Sequence, residues 1–286
     1  MKLKIGITGS NGWIGKYLKK KLKSVHSIVD LDPISRNLKS LPNEVPKSCR
    51  NLDWILHLGS NTSIIKSFQD PFSLYQNNIV STLSMLKLAD LLGSKFLLFS
   101  SYIYGDPIYV PIDEKHPVKP KNLYMDSKWV CENISRNISK NFNLPLITLR
   151  LFNIYGPGLK SGRLVSDLIS NVKNMQDLIV NDPEPRRDYL FIDDLFNLII
   201  KILYSDVMKS SVYNVGGGIP YSNLEIAKKI LLISKSDLCL KVLNKRRKND
   251  ILNCVSNSDK VKKVFKWEPK YNIKDGLSIL LNENSC

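Results

Sequence analysis

The sequence predicts an α/β protein built on a doubly wound parallel sheet, with a smaller α/β region towards the C-terminus. Two observations carry that reading. Short apolar strands alternate with segments of helical period from Lys4 to Leu151, and a glycine-rich turn, Gly9–Gly15, joins the first strand to the first helix.

Taken in order, Lys4–Thr8 reads as a short buried strand ending at the glycines. Trp13, Ile14, Tyr17, Leu18 and Leu22 then recur at helical spacing over residues 13–23. Ser27–Leu31 is a second strand, followed by a polar, proline-punctuated stretch from Pro33 to Pro46. Trp54–Leu58 is strand-like, Tyr75–Leu92 a long helix and Phe96–Ser100 a buried strand. Asn122–Lys140 is helical and Leu146–Leu151 is a strand. Beyond Gly156 the pattern loosens: a helix at Leu164–Lys173, another from Asp193 to Tyr204, a strand at Val212–Val215, and basic mixed segments to the end.

A hydrophobic content of 43% with 24% charged residues is ordinary for a soluble globular chain of 286 residues. The balance of 42 Lys+Arg against 26 Asp+Glu gives +16. The lysines are spread along the chain, without a basic arm, zinc-finger spacing or aromatic RNA-binding signature, so they read as solvated helix faces rather than a nucleic-acid surface. Such a field favours a doubly charged small molecule such as a nucleoside diphosphate. The five cysteines are odd in number, scattered and without a C-x-x-C pair, so neither a disulfide framework nor a metal site is expected, and a reduced cytoplasm fits. No signal-like segment opens the chain and no apolar run reaches membrane-spanning length, so a membrane is not an expected partner.

Gly9-Ser10-Asn11-Gly12-Trp13-Ile14-Gly15 follows the first strand and opens the first helix. Glycines there allow a tight turn and close approach of a pyrophosphate to a helix N-terminus, which implies a Rossmann-type dinucleotide site formed by Gly9, Asn11, Gly12, Trp13, Ile14 and Gly15. Asp30 and Asp32 stand at the end of the second strand, where a carboxylate accepts the adenosine ribose hydroxyls and repels a 2′-phosphate. Asp32 suits the strand end better, and NAD is expected; Arg36 close by leaves NADP open. Further on, Tyr124 and Lys128 lie one helical turn apart and face the same way. An ammonium beside a phenol favours proton transfer at that oxygen, although such a pair standing alone more often belongs to an ordinary surface helix.

In joint order these segments resemble the extended short-chain dehydrogenase/reductase family, in its nucleotide-sugar epimerase/dehydratase branch, over nearly the whole chain. Asp53-Trp54-Ile55-Leu56-His57-Leu58-Gly59 is similar to the D-x-V-x-H-x-A strand that lines the cofactor, implicating Leu58 and Gly59. Tyr75–Thr82 resembles the Y-x-x-N-V-x-G-T helix, whose asparagine, here Asn78, props the cofactor and active site. Phe99-Ser100-Ser101-Tyr102-Ile103-Tyr104-Gly105 resembles the segment carrying the catalytic Ser/Thr; counting back from Gly105 selects Ser100, with Ser101 as the alternative. The resemblance then makes Tyr124 and Lys128 catalytic and cofactor-binding, with Glu132 matching a glutamate one turn on. Arg150-Leu151-Phe152-Asn153-Ile154-Tyr155-Gly156-Pro157 matches R-x-x-N-x-Y-G-P, and Arg187–Asp194 resembles R-D-y-v-x-V-x-D. Tyr213–Gly216, Trp267-Glu268-Pro269 and Asp275-Gly276-Leu277 match the late signatures.

What the resemblance implies is a chain that binds a nucleotide-diphosphate sugar through Ser101, Tyr102, Asn153, Arg187 and Arg247, works as a homodimer and serves polysaccharide biosynthesis. Residues 1–155, completed near 190–215, would form the NAD(P)-binding domain, with 156–189 and 216–286 forming the nucleotide-sugar domain. Each residue also has a plainer reading. His57 is a strand residue near the cofactor rather than a base, Asn78 and Asn153 could satisfy backbone groups, and Asp193 and Asp194 fit a helix cap. One departure narrows the chemistry. The family's dehydratases carry an Asp-Glu pair after the catalytic Thr, and its decarboxylating branch a glutamate; Ser101 and Tyr102 stand there instead. Hydride and proton transfer alone remain, as C4 epimerisation with NAD or as reduction of a 4-keto sugar. The epimerase is preferred on Asp32 and the Asn-x-Tyr-Gly-Pro segment, and the short stretch from Pro33 to Leu52 favours the reductase. A non-catalytic dinucleotide-binding regulator is the third alternative.

Overall fold

The computed structural model describes residues 2–35, 45–61, 69–206, 210–246 and 250–283. Arg36 and Arg247 lie outside the described residues. The chain divides into two compact units, one of Met1–Gly105, Val118–Arg150 and Ser205–Tyr213, the other of Asp106–Pro117, Leu151–Tyr204 and Asn214–Cys286. The expected division at residue 155 thus falls at Arg150, and of the expected completing segment near 190–215 only Ser205–Tyr213 groups with the first unit.

The first unit contains β1 (Lys4–Thr8), α1 (Trp13–Leu22), β2 (Ser27–Asp30), a single helical turn α2 (Asp32–Ser35), β3 (Trp54–His57), α3 (Pro71–Leu92), β4 (Lys95–Ser101), α4 (Leu123–Phe142) and β5 (Leu146–Leu151). The second adds β6 (Asn153–Tyr155), α5 (Leu164–Lys173), β7 (Leu178–Val180), β8 (Arg186–Phe191) and α6 (Ile192–Leu203). Then come β9 (Ser211–Val215), β10 (Pro220–Ser222), α7 (Asn223–Ser234), β11 (Leu240–Val242), β12 (Asn253–Cys254), α8 (Asp259–Phe265) and α9 (Ile273–Asn282).

The main sheet has strand order β2-β1-β3-β4-β5-β9, with the pairs β1–β2, β1–β3 and β3–β4 parallel. Its interior strands are buried on both faces, which is why their sequences are continuous apolar runs rather than alternating ones. After β2 the chain returns past β1 to build β3 on the other side, creating a switch point beyond the carboxyl ends of β1 and β3. Ligand crevices of doubly wound sheets open at that place. Among the described residues, which do not include 36–44 of the Pro33–Leu52 stretch, β2 is the edge strand of this sheet.

Two helices hold the sites that matter here. α3 starts at Pro71, whose missing N–H costs nothing in the first turn, and the Asp70 carboxylate accepts the Ser73 N–H at 3.0 Å. It stops at Gly93 in the left-handed conformation. α4 is capped by the Asn122 side chain, which accepts the Met125 N–H at 2.9 Å, and stops at Asn143, also left-handed. α4 packs on α3 and on β4. Under them Leu31, Ile55, Met85, Leu86, Phe96 and Leu98 form one buried cluster; each such burial contributes about 1.5–3 kcal/mol.

In the second unit β8 is the hub: β10 pairs with it antiparallel on one edge, while β12 and β6 follow one another, both parallel, on the other. Among the described residues no helix is long and apolar enough to cross a membrane.

Candidate active site

The glycine turn is built for a backbone-only approach. Gly9 has φ +69°, and a Cβ added there would lie 2.8 Å from the Gly59 nitrogen. A Cβ at Gly15 would lie 2.0 Å from the Gly9 carbonyl oxygen. The turn closes through Gly12 N–H to Gly9 C=O at 2.9 Å. Asn11 and Gly12 are exposed, and Trp13 and Ile14 half-buried. α1 begins at Trp13 with no side-chain cap among the described residues and no carboxylate in its first turn, so its N–H groups and positive dipole end suit a pyrophosphate. The residues present therefore fit a dinucleotide.

Both expected aspartates reach this turn. Asp32 accepts the Gly9 N–H at 2.5 Å, and Asp30 accepts the Ser10 hydroxyl at 2.6 Å and the Lys19 ammonium at 2.9 Å. Partial burial works against the Asp30 charge, but the Ser10 hydroxyl and Lys19 hold its carboxyl below the usual range. Beyond β3, Leu58 and Gly59 are half-buried, and the Gly59 N–H donates to Thr8 Oγ1 at 2.9 Å, tying the second loop to the end of β1.

Ser100 lies near the end of β4 with its hydroxyl buried and without a hydrogen-bond partner among the described residues. A buried orphan hydroxyl is costly unless something completes it, and a substrate oxygen would. Ser101, the last residue of β4, is half-buried. Tyr102 is buried and turned into its own loop, its phenol donating to the Gly105 carbonyl and its ring edge-on to Tyr104 at 5.7 Å. That geometry engages the Tyr102 hydroxyl, expected to meet substrate, within the protein.

Tyr124 is half-buried in the first turn of α4, and Lys128 is buried one turn on. The two middle residues anchor the segment. Asp126 accepts the Tyr75 phenol at 2.6 Å, and Ser127 accepts from Asn78 Nδ2 at 3.0 Å while donating to the Tyr124 carbonyl at 2.8 Å. Burial, then Asp126, pushes the Tyr75 phenol up to about 12. Asn78 is thereby a strut: its Oδ1 accepts the Asn61 N–H at 2.7 Å, so it joins the loop after β3 to α4. Sequence reasoning gave Tyr75 and Asp126 no role; only the packing of α3 on α4 shows it. One turn past Lys128, Glu132 accepts from Arg150 through both oxygens, with Nη2–Oε2 at 2.7 Å, and the guanidinium also donates to the Tyr104 phenol at 2.9 Å.

The second unit places Asn153 on β6, Arg187 on β8 and Cys254 on β12, three neighbouring strands. Asn153 Nδ2 donates to the Asp188 carbonyl at 3.2 Å. Arg187, expected to grip a diphosphate, pairs with Asp250 at 2.7 Å and donates to the Ile251 carbonyl. Asp188, unassigned from the sequence, is fully buried and accepts from Gly217 N–H, from Ser256 N–H at 2.9 Å and from the Ser256 hydroxyl. Burial pushes its carboxyl up even so. Asp194 does not cap its own helix; it accepts the Lys270 and Tyr271 N–H groups at 2.8 and 3.1 Å. Among the described residues no cluster of His, Cys, Asp and Glu could hold a metal.

Fold and turn together define a Rossmann-type α/β protein of short-chain dehydrogenase/reductase architecture. The family model described as GDP-mannose 4,6 dehydratase matches residues 45–280, and the chain belongs to that family, within the extended short-chain dehydrogenases/reductases that include nucleotide-sugar epimerases and dehydratases. UDP-glucuronic acid decarboxylase 6 of Arabidopsis thaliana is 26% identical over 97% of this chain and 88% of its own length. UDP-glucose 4-epimerase of Lactobacillus helveticus is 26% identical over 96% and 94%. The structure of RMD from Pseudomonas aeruginosa complexed with NADPH aligns at a TM-score of 0.86 over 98% of both chains, with 24% identity.

Proposed function

We propose that this protein is an NAD-dependent nucleotide-sugar epimerase acting at C4 of a UDP- or dTDP-hexose. The observation that carries the reading is the orphan hydroxyl of Ser100 in the unit that also holds the glycine turn, Tyr124 and Lys128, with no carboxylate at 101 or 102. NAD held by Gly9–Gly15, Asp32, Leu58 and Gly59 would supply hydride acceptance and return at C4. Tyr124 takes the proton from O4 and later gives it back, Ser100 hydrogen-bonds that oxygen, and Lys128 holds the cofactor ribose and keeps positive charge near the phenol. Asn153, Arg187 and Arg247 would bind the nucleotide diphosphate, which requires Arg187 to exchange Asp250 for phosphate oxygens.

Reduction of a nucleotide 4-keto sugar is the second reading, favoured by the shortness of the Pro33–Leu52 stretch. There Tyr124 acts once, as acid, with NADPH or NADH bound in the same turn. The reading includes a homodimer through α3 and α4, where Phe72, Leu91 and Phe142 are exposed; light scattering giving a single chain mass would remove that part.

Denaturing the purified protein is expected to release NAD, and a panel of UDP- and dTDP-sugars should show epimerisation without net cofactor consumption. Stoichiometric NADPH oxidation with a 4-keto sugar would select the reductase. Tyr124→Phe lowers either activity by at least about 100-fold and leaves cofactor binding intact; unchanged turnover would refute the assignment.

A further inference from the structure

Between the glycine turn and Tyr124 runs a chain of hydrogen bonds whose proton directions are all determined. The Thr82 hydroxyl donates to the Asn78 carbonyl at 2.7 Å, so towards His57 Nε2, 3.1 Å away, it can only accept. Nε2 therefore carries the proton. Burial, and then the Lys128 ammonium, lower the His57 pKa to about 3, so the ring is neutral and Nδ1 is an acceptor. Thr8 Oγ1, 2.8 Å from Nδ1, donates to it and itself accepts the Gly59 N–H. From the backbone of Asn78 the line continues through its side chain to Ser127 and the Tyr124 carbonyl. Around the ring stand Lys128, which supplies the charge, and the apolar Phe96 at 5.8 Å. Cys131 donates to the same Asn78 carbonyl at 3.4 Å.

We propose that His57 and Thr82 are positioning residues, a one-way hydrogen-bond line that sets the catalytic turn of α4 in register with the cofactor turn. This rests on the dinucleotide reading of Gly9–Gly15 and the acid/base reading of Tyr124. In this reading His57 and Thr82 act by holding the next group in the line rather than at the reacting atoms. Because every hydroxyl in it has one proton and one assigned acceptor, a reversed histidine tautomer would leave the Thr82 and Thr8 hydroxyls facing like groups.

The first test is nitrogen NMR of the full chain with labelled histidine, simplified because the chain has three histidines and His57→Gln identifies the signal. Expected is a neutral ring protonated at Nε2 from pH 7 down to pH 5; an Nδ1-protonated ring or an imidazolium at pH 5 overturns the proposal. The second test compares Thr82→Val with Thr82→Ser. Valine is expected to lower kcat roughly tenfold, the scale of one lost hydrogen bond, with KM for the sugar and Kd for NADH changed less than about twofold. Serine restores kcat. Equal kcat in both variants, or a loss confined to KM or Kd, refutes it. Should the valine variant not fold, Ser127→Ala breaks the line further on and is read the same way. Failure of the unsubstituted protein to bind NADH at all would instead sink the function reading, leaving the NMR result to stand on its own.

Discussion

Removing Glu132 provides the sharpest test of how α4 is fixed. The Glu132 and Arg150 side chains are 3% and 5% exposed, and the guanidinium makes three contacts to the carboxylate. Arg150 also lies over the Tyr104 and Trp129 rings, at 4.9 and 5.7 Å. Burial works against the Arg150 charge, and its hydrogen bonds to Glu132, the Glu132 charge and Tyr104 together more than offset it. With leucine at 132 the guanidinium keeps only Tyr104 as a hydrogen-bonding partner among these, leaving a buried charge uncompensated. Loss of one partner from such a pair costs about 3–5 kcal/mol, a large share of a domain stability of about 5–15 kcal/mol. Replacing both partners removes the charge problem, so Glu132→Leu with Arg150→Met is expected to recover most of the loss. Denaturant titration followed by circular dichroism, with Trp129 fluorescence as a local probe, measures both. A cost below about 1 kcal/mol for the single variant, the scale of an exposed pair, or a double variant weaker than the single one, would refute the argument.

Three further outcomes are expected. The unfolded state protonates His57 near 6.5 and the folded state near 3, so the unfolded chain binds more protons between those values. Stability that is complete above pH 6.5 is lost as pH falls, by about 2 kcal/mol at pH 5, and His57→Gln should flatten that slope; parallel curves would count against the burial argument. Gly276→Ala puts a Cβ 2.1 Å from the Tyr155 hydroxyl oxygen, inside a packed helix contact, and should cost about 1–3 kcal/mol; adding Tyr155→Phe should return part of it, as melting temperatures would show. Gly15→Ala would place a Cβ 2.0 Å from the Gly9 carbonyl oxygen, so NADH affinity measured by fluorescence should fall at least about tenfold; unaltered affinity would move the cofactor elsewhere.

The strands of the first unit were legible because buried parallel strands are rich in apolar and β-branched residues: β1 and β5 match the sequence reading residue for residue, and β3 and β4 within one residue at each end. Helix periodicity was less exact at termini. α3 begins at Pro71 rather than Tyr75 because Asp70 and Pro71 are cap signals, not periodic ones. The C-terminal half was harder. Its strands β6, β7, β10, β11 and β12 are two or three residues long, too short for a period to show. α7 could have been read, since Ser222 and Glu225 form a reciprocal capping box, as could the Asn272 cap of α9. At the site, motifs named the residues but not their directions. That Tyr75 reaches Asp126, or that Asp188 gathers Gly217 and Ser256, depends on pairings between elements distant in the chain.

The relatives divide between sugar decarboxylation and sugar epimerisation, and position 102 is where the chain itself leans. Eliminating water or stabilising a decarboxylation needs a second proton-handling group beside the catalytic hydroxyl. Tyr102 is buried, and its phenol proton is directed to the Gly105 carbonyl within the same turn. Using that proton at a substrate would first leave a buried carbonyl unsatisfied, at a cost of about 1–3 kcal/mol. Ser101 offers only an alcohol, which is too weak an acid and too weak a base at neutral pH to replace a carboxylate. The segment from Phe99 to Gly105 therefore leaves the Ser100 hydroxyl open to a substrate oxygen and carries no carboxylate. In the proposed reading proton transfer then falls to Tyr124 alone, and one proton donor would be sufficient for chemistry in which a hydride leaves and returns at a single carbon.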